Sequence, residues 1–235
     1  MFDRTEMREA TLAAILAAVT GYVDAVGFTR LFGVFPANQT GNIVLFGIAL
    51  GDPDLGDAWR PALSMLAFAL GVMLGLVLAH RLGARVRMGT LLALETVLIG
   101  VVALLAGDVS SRTAPVGGAK EVVMLGLAAL AMGVQTDVIR RAARVGVWTT
   151  FTTGAMVQFT DQVSEAVVHH RSPHVEGRRV LVVLGAVLVA YVAGAAAGAA
   201  AADAWGRALV VPVVITGALT VWAIVSPSPA PPTVD

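Results

Sequence analysis

Long runs without charge are the feature that most constrains this chain. Residues 180–202 hold no charged side chain, and further apolar segments lie at about residues 9–29, 61–80, 89–107, 120–139 and 208–225. A helix needs roughly 20 mostly apolar residues to cross a bilayer. The whole chain is 57% hydrophobic and 14% charged, whereas an ordinary soluble domain is about 25% charged. The sequence therefore predicts an all-α, polytopic membrane protein with the lipid bilayer as its solvent.

Composition and motifs exclude several functional classes. The net charge is zero and there is no basic stripe with interleaved aromatics, so we expect no nucleic-acid partner. There is no cysteine, which excludes disulfides and thiolate chemistry. His169, His170 and His174 share one loop, but their spacing matches no metal site. Because no catalytic order or phosphate loop stands out either, we predict no enzyme, cofactor or metal.

Two further apolar stretches, residues 31–51 and 145–160, are uncharged but carry polar clusters. Proline and Thr-Gly pairs are poor material for a lipid-facing helix, because lipid offers their backbone no hydrogen bonds. The polar members of the first stretch are Asn38, Thr40, Gly41 and Asn42, and those of the second are Thr150, Thr152, Thr153 and Gly154.

The two polar stretches align at a constant offset of 113 residues. Seven of the 27 positions from residue 22 to residue 48 are identical, among them Asp24 with Asp137. Each half of the chain runs helix, Thr-Gly element, helix, helix. We interpret the chain as one membrane domain (1–225) with two repeats, about 8–107 and 120–225, and a Pro-rich disordered tail (226–235).

Basic residues favour cytoplasmic loops and so discriminate between two topologies. If both polar stretches span fully, the 16 basic residues divide eight against eight; if both enter and return on one side, they divide eleven against five. We therefore predict six full spans plus two re-entrant half-helices, with both termini cytoplasmic. Three spans per half is an odd number, so the halves form two inverted repeats, a recurring transporter architecture.

The half-helices would begin near the membrane centre. A helix N-terminus presents unpaired N–H groups and partial positive charge. Threonine at the start supplies a capping hydroxyl, and glycine lets the backbone approach a solute. We expect both clusters to form a substrate-binding site for a small polar or ionic solute. The alternative is that these groups only cap helices and satisfy a buried backbone.

Ionisable residues inside spans are candidates for coupling or gating. Asp24 and Asp137 are the first two, and Gln135 lies close to Asp137 in sequence. The aspartates could instead pair with Arg30 and with the arginines at residues 140–144. Glu95 is a weaker candidate, because its counterpart at the 113-residue offset is an alanine.

Two motifs carry a family resemblance. Residues 21–28 read Gly-Tyr-Val-Asp-Ala-Val-Gly-Phe, and residues 38–42 read Asn-Gln-Thr-Gly-Asn. The chain resembles the YoaK-like family of bacterial inner-membrane proteins, a domain of unknown function, over about residues 8–225. The resemblance implies about six spans in the inner (plasma) membrane and brings no substrate or activity.

The sequence leads to a functional hypothesis with one competitor. Inverted repeats with two polar half-helices favour a small-solute transporter or channel. The alternative is a non-transporting scaffold or sensor subunit with a dry, packed centre. The Ala- and Gly-rich stripe of residues 191–200 predicts close helix packing inside the bundle or in a homodimer.

Overall fold

The computed structural model describes residues 4–52, 55–82, 84–106, 118–142, 156–157, 159–161, 163–164, 175–204 and 207–226. A π-helical turn (Gly27–Leu31) extends the first helix, and a short 3-10 helix (Leu55–Asp57) precedes the third. The α-helices in the described residues are α1 (Arg4–Val26), α2 (Gln39–Leu50), α3 (Trp59–Arg81), α4 (Ala84–Ala106), α5 (Ala119–Ala142), α6 (Val175–Ala204) and α7 (Val210–Val225).

These helices fall where the apolar runs predict them. In the described part of the chain, α1, α3, α4, α5 and α6 are long and apolar enough to cross a membrane, whereas α7 has 16 residues and α2 has 12. At ~1.5 Å per residue α2 is roughly 18 Å long, which is short of a ~30 Å hydrocarbon core. The predicted class, an all-α polytopic membrane protein, is confirmed.

Helix α1 runs parallel to α6, and the two pack closely. Ala18 lies beside Gly194, and one turn later Tyr22 lies beside Gly198. A Cβ atom on Gly194 would overlap the backbone of Ala18, so the contact requires glycine. The stripe of small residues on α6 therefore serves packing within the bundle, as small residues do in lipid.

Helices α3 and α5 form a second parallel pair with the same construction. Gly71 lies against Leu130 and Gly133, and Gly75 lies against Val134. At the start of this pair, Arg60 Nε and Glu121 Oε1 form an ion pair at 2.9 Å. The Nε–H group does not point at the oxygen, so this contact is not a hydrogen bond.

The remaining contacts are antiparallel. Gly89 and Gly100 of α4 lie beside Ile224 and Val213 of α7. On α4, residues before Glu95 cluster with residues after Gln135 on α5, and residues after Glu95 cluster with residues before Gln135. The buried side chains of α1 meet α5 in the same reversed order. Helices α1, α4 and α6 therefore point one way, and α3, α5 and α7 point the other.

Burial separates inner helices from outer ones. α1 and α5 are mostly buried, whereas α3, α4 and α6 turn large apolar side chains outward, among them Leu66, Leu104 and Val189. Lipid solvates an apolar face that points outward, because the hydrocarbon core offers a polar group no hydrogen-bond partner. α1 and α5 therefore form the centre of the bundle.

Candidate functional site

Asp24 joins α1 to the segment that precedes α2. Its Oδ1 accepts hydrogen bonds from the backbone N–H groups of Ala37 at 2.7 Å and Asn38 at 3.3 Å. Its Oδ2 accepts from the hydroxyl of Tyr191 on α6 at 2.8 Å. The side chain is only 2% exposed. These partners are neutral donors in the described residues, so the pairing with Arg30 that the sequence left open is not what holds this carboxylate.

Asn38 caps the N-terminus of α2. Its Oδ1 accepts from the backbone N–H of Gly41 at 3.2 Å, and the helix begins at Gln39. The expectation that a threonine would cap the half-helix is wrong for this element, because asparagine is among the strongest N-cap residues and stands two positions earlier. The Gln39 side chain donates back to the carbonyl of Pro36 at 3.0 Å.

Asn42 clamps the extended segment against α2. Its Oδ1 accepts from the N–H of Phe35 at 2.9 Å, and its Nδ2 donates to the carbonyl of the same residue at 2.6 Å. Nδ2 also lies 3.0 Å from Ser64 Oγ on α3, and Ser64 in turn donates to Phe35 O. The fully buried amide thus satisfies backbone groups that would otherwise be unpaired in lipid.

Gly41 makes room for an aromatic ring. A Cβ atom here would lie 2.9 Å from the ring of Phe35, which stacks on Phe28 with centroids 4.5 Å apart. The ring of Phe35 therefore occupies the space that this glycine leaves open. Of the four binding residues predicted in the first cluster, Thr40 has the exposed side chain.

The second predicted cluster, Thr150, Thr152, Thr153 and Gly154, lies outside the described residues, as do His169, His170, His174 and the tail beyond Ser226. Its proximity to the first cluster therefore stays a prediction. Short helical pieces at residues 156–157, 159–161 and 163–164 follow it, and Phe159 contacts α6 near Leu184.

Asp137 and Gln135 point to different places. The Asp137 side chain lies against Gly75 of α3. Gln135 reaches the other way, donating from Nε2 to Glu95 Oε1 at 2.9 Å and accepting from the Thr20 hydroxyl at 2.7 Å. All three members of this network are buried. Gln135 is thus separate from the Asp24 carboxylate and belongs to an inner polar network.

Sequence reasoning underrated or missed three polar residues. Glu95 was a weak candidate, yet it is fully buried and tied to two other helices. Tyr191 was overlooked although it is the one hydroxyl-bearing residue in the otherwise apolar residues 180–202. Ser64 had no signal. Among the described residues, no three His, Cys, Asp or Glu side chains come close enough to hold a metal ion.

Comparison with known proteins places the chain in a family. A family model described as "Protein of unknown function (DUF1275)" matches residues 12–222. The chain belongs to this DUF1275 family. It is similar to the UPF0700 transmembrane protein YoaK of Bacillus subtilis (strain 168), with 27% identity over 157 residues, which cover 66% of this chain and 67% of the relative. No solved structure matches significantly.

Family membership confirms the resemblance carried by residues 21–28 and 38–42. Both motifs fall inside the matched region, and both line the junction of α1 with α2. The relative is itself called a transmembrane protein, in agreement with the multi-pass membrane class of this chain.

Proposed function

We propose that this protein is a small-solute transporter or channel of the bacterial inner membrane, built from two inverted repeats. Each repeat has three full spans and one re-entrant half-helix, and the solute site lies where the half-helices begin. The observation that carries the proposal is the alternating direction of the long helices around a 12-residue α2. Transporters commonly place their sites at such interrupted helices.

The helix directions support a re-entrant first element. α1 and α3 are antiparallel, so α1 ends on the side of the membrane where α3 begins. The chain between them, including α2, must then enter and leave on that side. The same argument applies between α5 and α6, whose connecting residues would hold the second half-helix.

Matching stripes of small residues support the repeat. The stripe on α3 is Ala67, Gly71, Gly75 and Ala79, and the stripe on α6 is Ala190, Gly194, Gly198 and Ala202. Their offset is 123 residues, ten more than between the polar stretches, which indicates an insertion before α6. Each stripe packs on the first helix of the other repeat.

Electrostatics at the start of α2 favour a neutral or cationic solute. The partial positive charge of a helix N-terminus attracts anions. Here the Asp24 carboxylate already accepts from Ala37 and Asn38 at that end. An anionic solute would have to share the site with this negative charge.

A non-transporting scaffold or sensor is the second candidate. It is favoured by the way Asn38, Gly41 and Asn42 satisfy the backbone and pack on Phe35 rather than on an open cavity. A cavity of about 580 Å³ in the described part of the chain lies elsewhere, between Met7 on α1 and Trp222 on α7, and is mainly apolar.

Labelling of single cysteines tests the six-span topology, because the chain has no native cysteine. We expect a membrane-impermeant maleimide to label positions 52 and 60 from outside and positions 85 and 171 only from inside. Labelling of positions 85 and 141 from outside would overturn the topology, with both termini cytoplasmic, on which the proposal rests.

Flux in proteoliposomes tests the site itself. The Thr40→Val/Thr153→Val double variant should lose most uptake of a small polar probe such as glycerol, urea or methylammonium, because it removes one exposed hydroxyl and its repeat counterpart. Thr160→Val is the control, since that hydroxyl donates to Met156 O within its own turn. Unchanged flux in a folded double variant would remove these threonines from the site.

A further inference from the structure

A buried polar network joins three helices at the centre of the bundle. Glu95 on α4, Gln135 on α5 and Thr20 on α1 are 0%, 1% and 6% exposed. Glu95 is the middle residue of α4, roughly 16 Å from either helix end at ~1.5 Å per residue. The network is distinct from the Asp24 carboxylate, which bonds to the start of α2 and to Tyr191.

The Glu95 carboxyl has only one hydrogen-bond partner in the described residues. Oε1 accepts from Gln135 Nε2 at 2.9 Å, whereas Oε2 is buried and has no partner. A charged carboxylate normally accepts several hydrogen bonds, and leaving one oxygen of it bare in a dry interior is costly. A neutral carboxylic acid tolerates a bare carbonyl oxygen far better.

The number of hydrogens available to the contacts of this network also indicates a protonated Glu95. The single hydroxyl hydrogen of Thr20 faces two acceptors, Leu16 O at 2.8 Å and Gln135 Oε1 at 2.7 Å. One of these two short oxygen–oxygen contacts must therefore lack a hydrogen while the Gln135 nitrogen faces Glu95. The arrangement is one hydrogen short.

Turning the Gln135 amide over and protonating Glu95 supplies that hydrogen. The acid O–H then donates to Gln135 Oε1, the amide nitrogen donates to Thr20 Oγ1, and the Thr20 hydroxyl donates to Leu16 O. The two ends of an amide have nearly the same shape, so the heavy atoms need not move. Each of the three contacts between 2.7 and 2.9 Å then contains one hydrogen, and only the long 3.5 Å contact of Gln135 Nε2 with Leu16 O is given up.

No charged side chain on the neighbouring helices compensates a Glu95 charge in the described residues. α7 has no charged residue between Val210 and Val225. Asp24 on α1 is engaged by α2 and α6, and Asp137 on α5 lies against Gly75 of α3. His80 on α3 is exposed and bonds to its own turn.

We propose that Glu95 is a proton-binding site, occupied in this conformation, with Gln135 and Thr20 as positioning residues that accept and relay its hydrogen bond. Loss of the proton would leave a charge between α1, α4 and α5 whose one donor is the Gln135 amide, with Oε2 still bare. Release therefore requires water to enter, or α4 to separate from α5. The proton site stands without the proposed transport; its use as the coupling ion rests on that function.

Infrared spectroscopy of the full chain in lipid nanodiscs at neutral pH tests the site. We expect the carbonyl band of a protonated carboxylic acid in the wild type and its loss in Glu95→Gln, whose amide can donate to Gln135 as the acid does. The control Asp57→Asn alters an exposed carboxylate and should keep the band. A wild type without the band, or a band that survives in Glu95→Gln, would overturn the proposal.

A second variant covers the case in which Glu95→Gln does not fold. Gln135→Leu removes the acceptor of the acid hydrogen and should shift the Glu95 band to higher frequency without abolishing it. An unshifted band would show that the acid does not donate to Gln135. Because neither measurement involves solute flux, the proton site and the transport proposal can fail separately.

Discussion

Replacing Gly133 by alanine is expected to destabilise the protein by about 3 kcal/mol, at the upper end of the cost of overpacking. The added Cβ would overlap Phe68 O and would lie 2.8 Å from Val72 N and 2.9 Å from Gly71 Cα. These atoms are all backbone, so no side chain can turn away and α3 must separate from α5. The thermal unfolding midpoint in detergent measures the loss.

Gly126 on the same helix provides the matched control. A Cβ there meets nothing within 4 Å, so Gly126→Ala should leave the midpoint unchanged or raise it through the better helix propensity of alanine. Equal midpoints for the two variants would mean that α3 and α5 do not meet at Gly133. If the repeats are equivalent, Gly194→Ala should cost as much as Gly71→Ala, because the two glycines match at the 123-residue offset and each added Cβ meets a backbone, that of Ala18 on α1 or that of Leu130 on α5.

Removing the Asp24 carboxylate is expected to cost at least about 3 kcal/mol. Asp24→Ala leaves the N–H groups of Ala37 and Asn38 and the hydroxyl of Tyr191 without their acceptor, and each buried unsatisfied donor costs roughly 1–3 kcal/mol. Against a typical total of about 5–15 kcal/mol this is a large loss. Chemical denaturation measures it, and protease cleavage within residues 31–38 reports release of the segment before α2.

Two milder variants distinguish a structural role of Asp24 from a role in ion coupling. Asp24→Asn keeps one acceptor for Ala37, and Tyr191→Phe removes a single donor, so both should lie well below Asp24→Ala, with Tyr191→Phe at about 1 kcal/mol. The double variant Asp24→Asn/Tyr191→Phe measures the interaction energy between the two side chains. An Asp24→Ala protein with wild-type stability would contradict the anchoring role and leave coupling as the reason for this residue.

The start of α2 shows how far local sequence rules carry. The proline, the glycine and the polar cluster indicated that residues 31–51 are unsuited to a plain span, and α2 is indeed a short helix after an irregular segment. The same rules named the wrong capping residue, because several good cap formers stand within five positions. Which of them caps depends on where Asp24 holds the backbone of Ala37.

The polar partners could not be predicted from sequence. Asp24 meets Tyr191 across 167 positions, and Gln135 meets Glu95 across 40. Glu95 has no acidic counterpart in the second half: the 113-residue offset places Ala208 opposite it, and the 123-residue offset that the stripes on α3 and α6 indicate places Ala218 there. An insertion in the second half hid the equivalence of the stripes on α3 and α6 until the helix contacts displayed it.

The sequence by itself determined that this chain lives in lipid and where its helices lie, because a bilayer core accepts only apolar segments whose backbone bonds internally. Only the tertiary structure decided which helices pair and where the buried Glu95 finds its partner. Between helices in lipid there is little hydrophobic driving force, so pairing depends on close fit at glycines and on hydrogen bonds. Both are properties of two surfaces together, and neither surface reveals its partner alone.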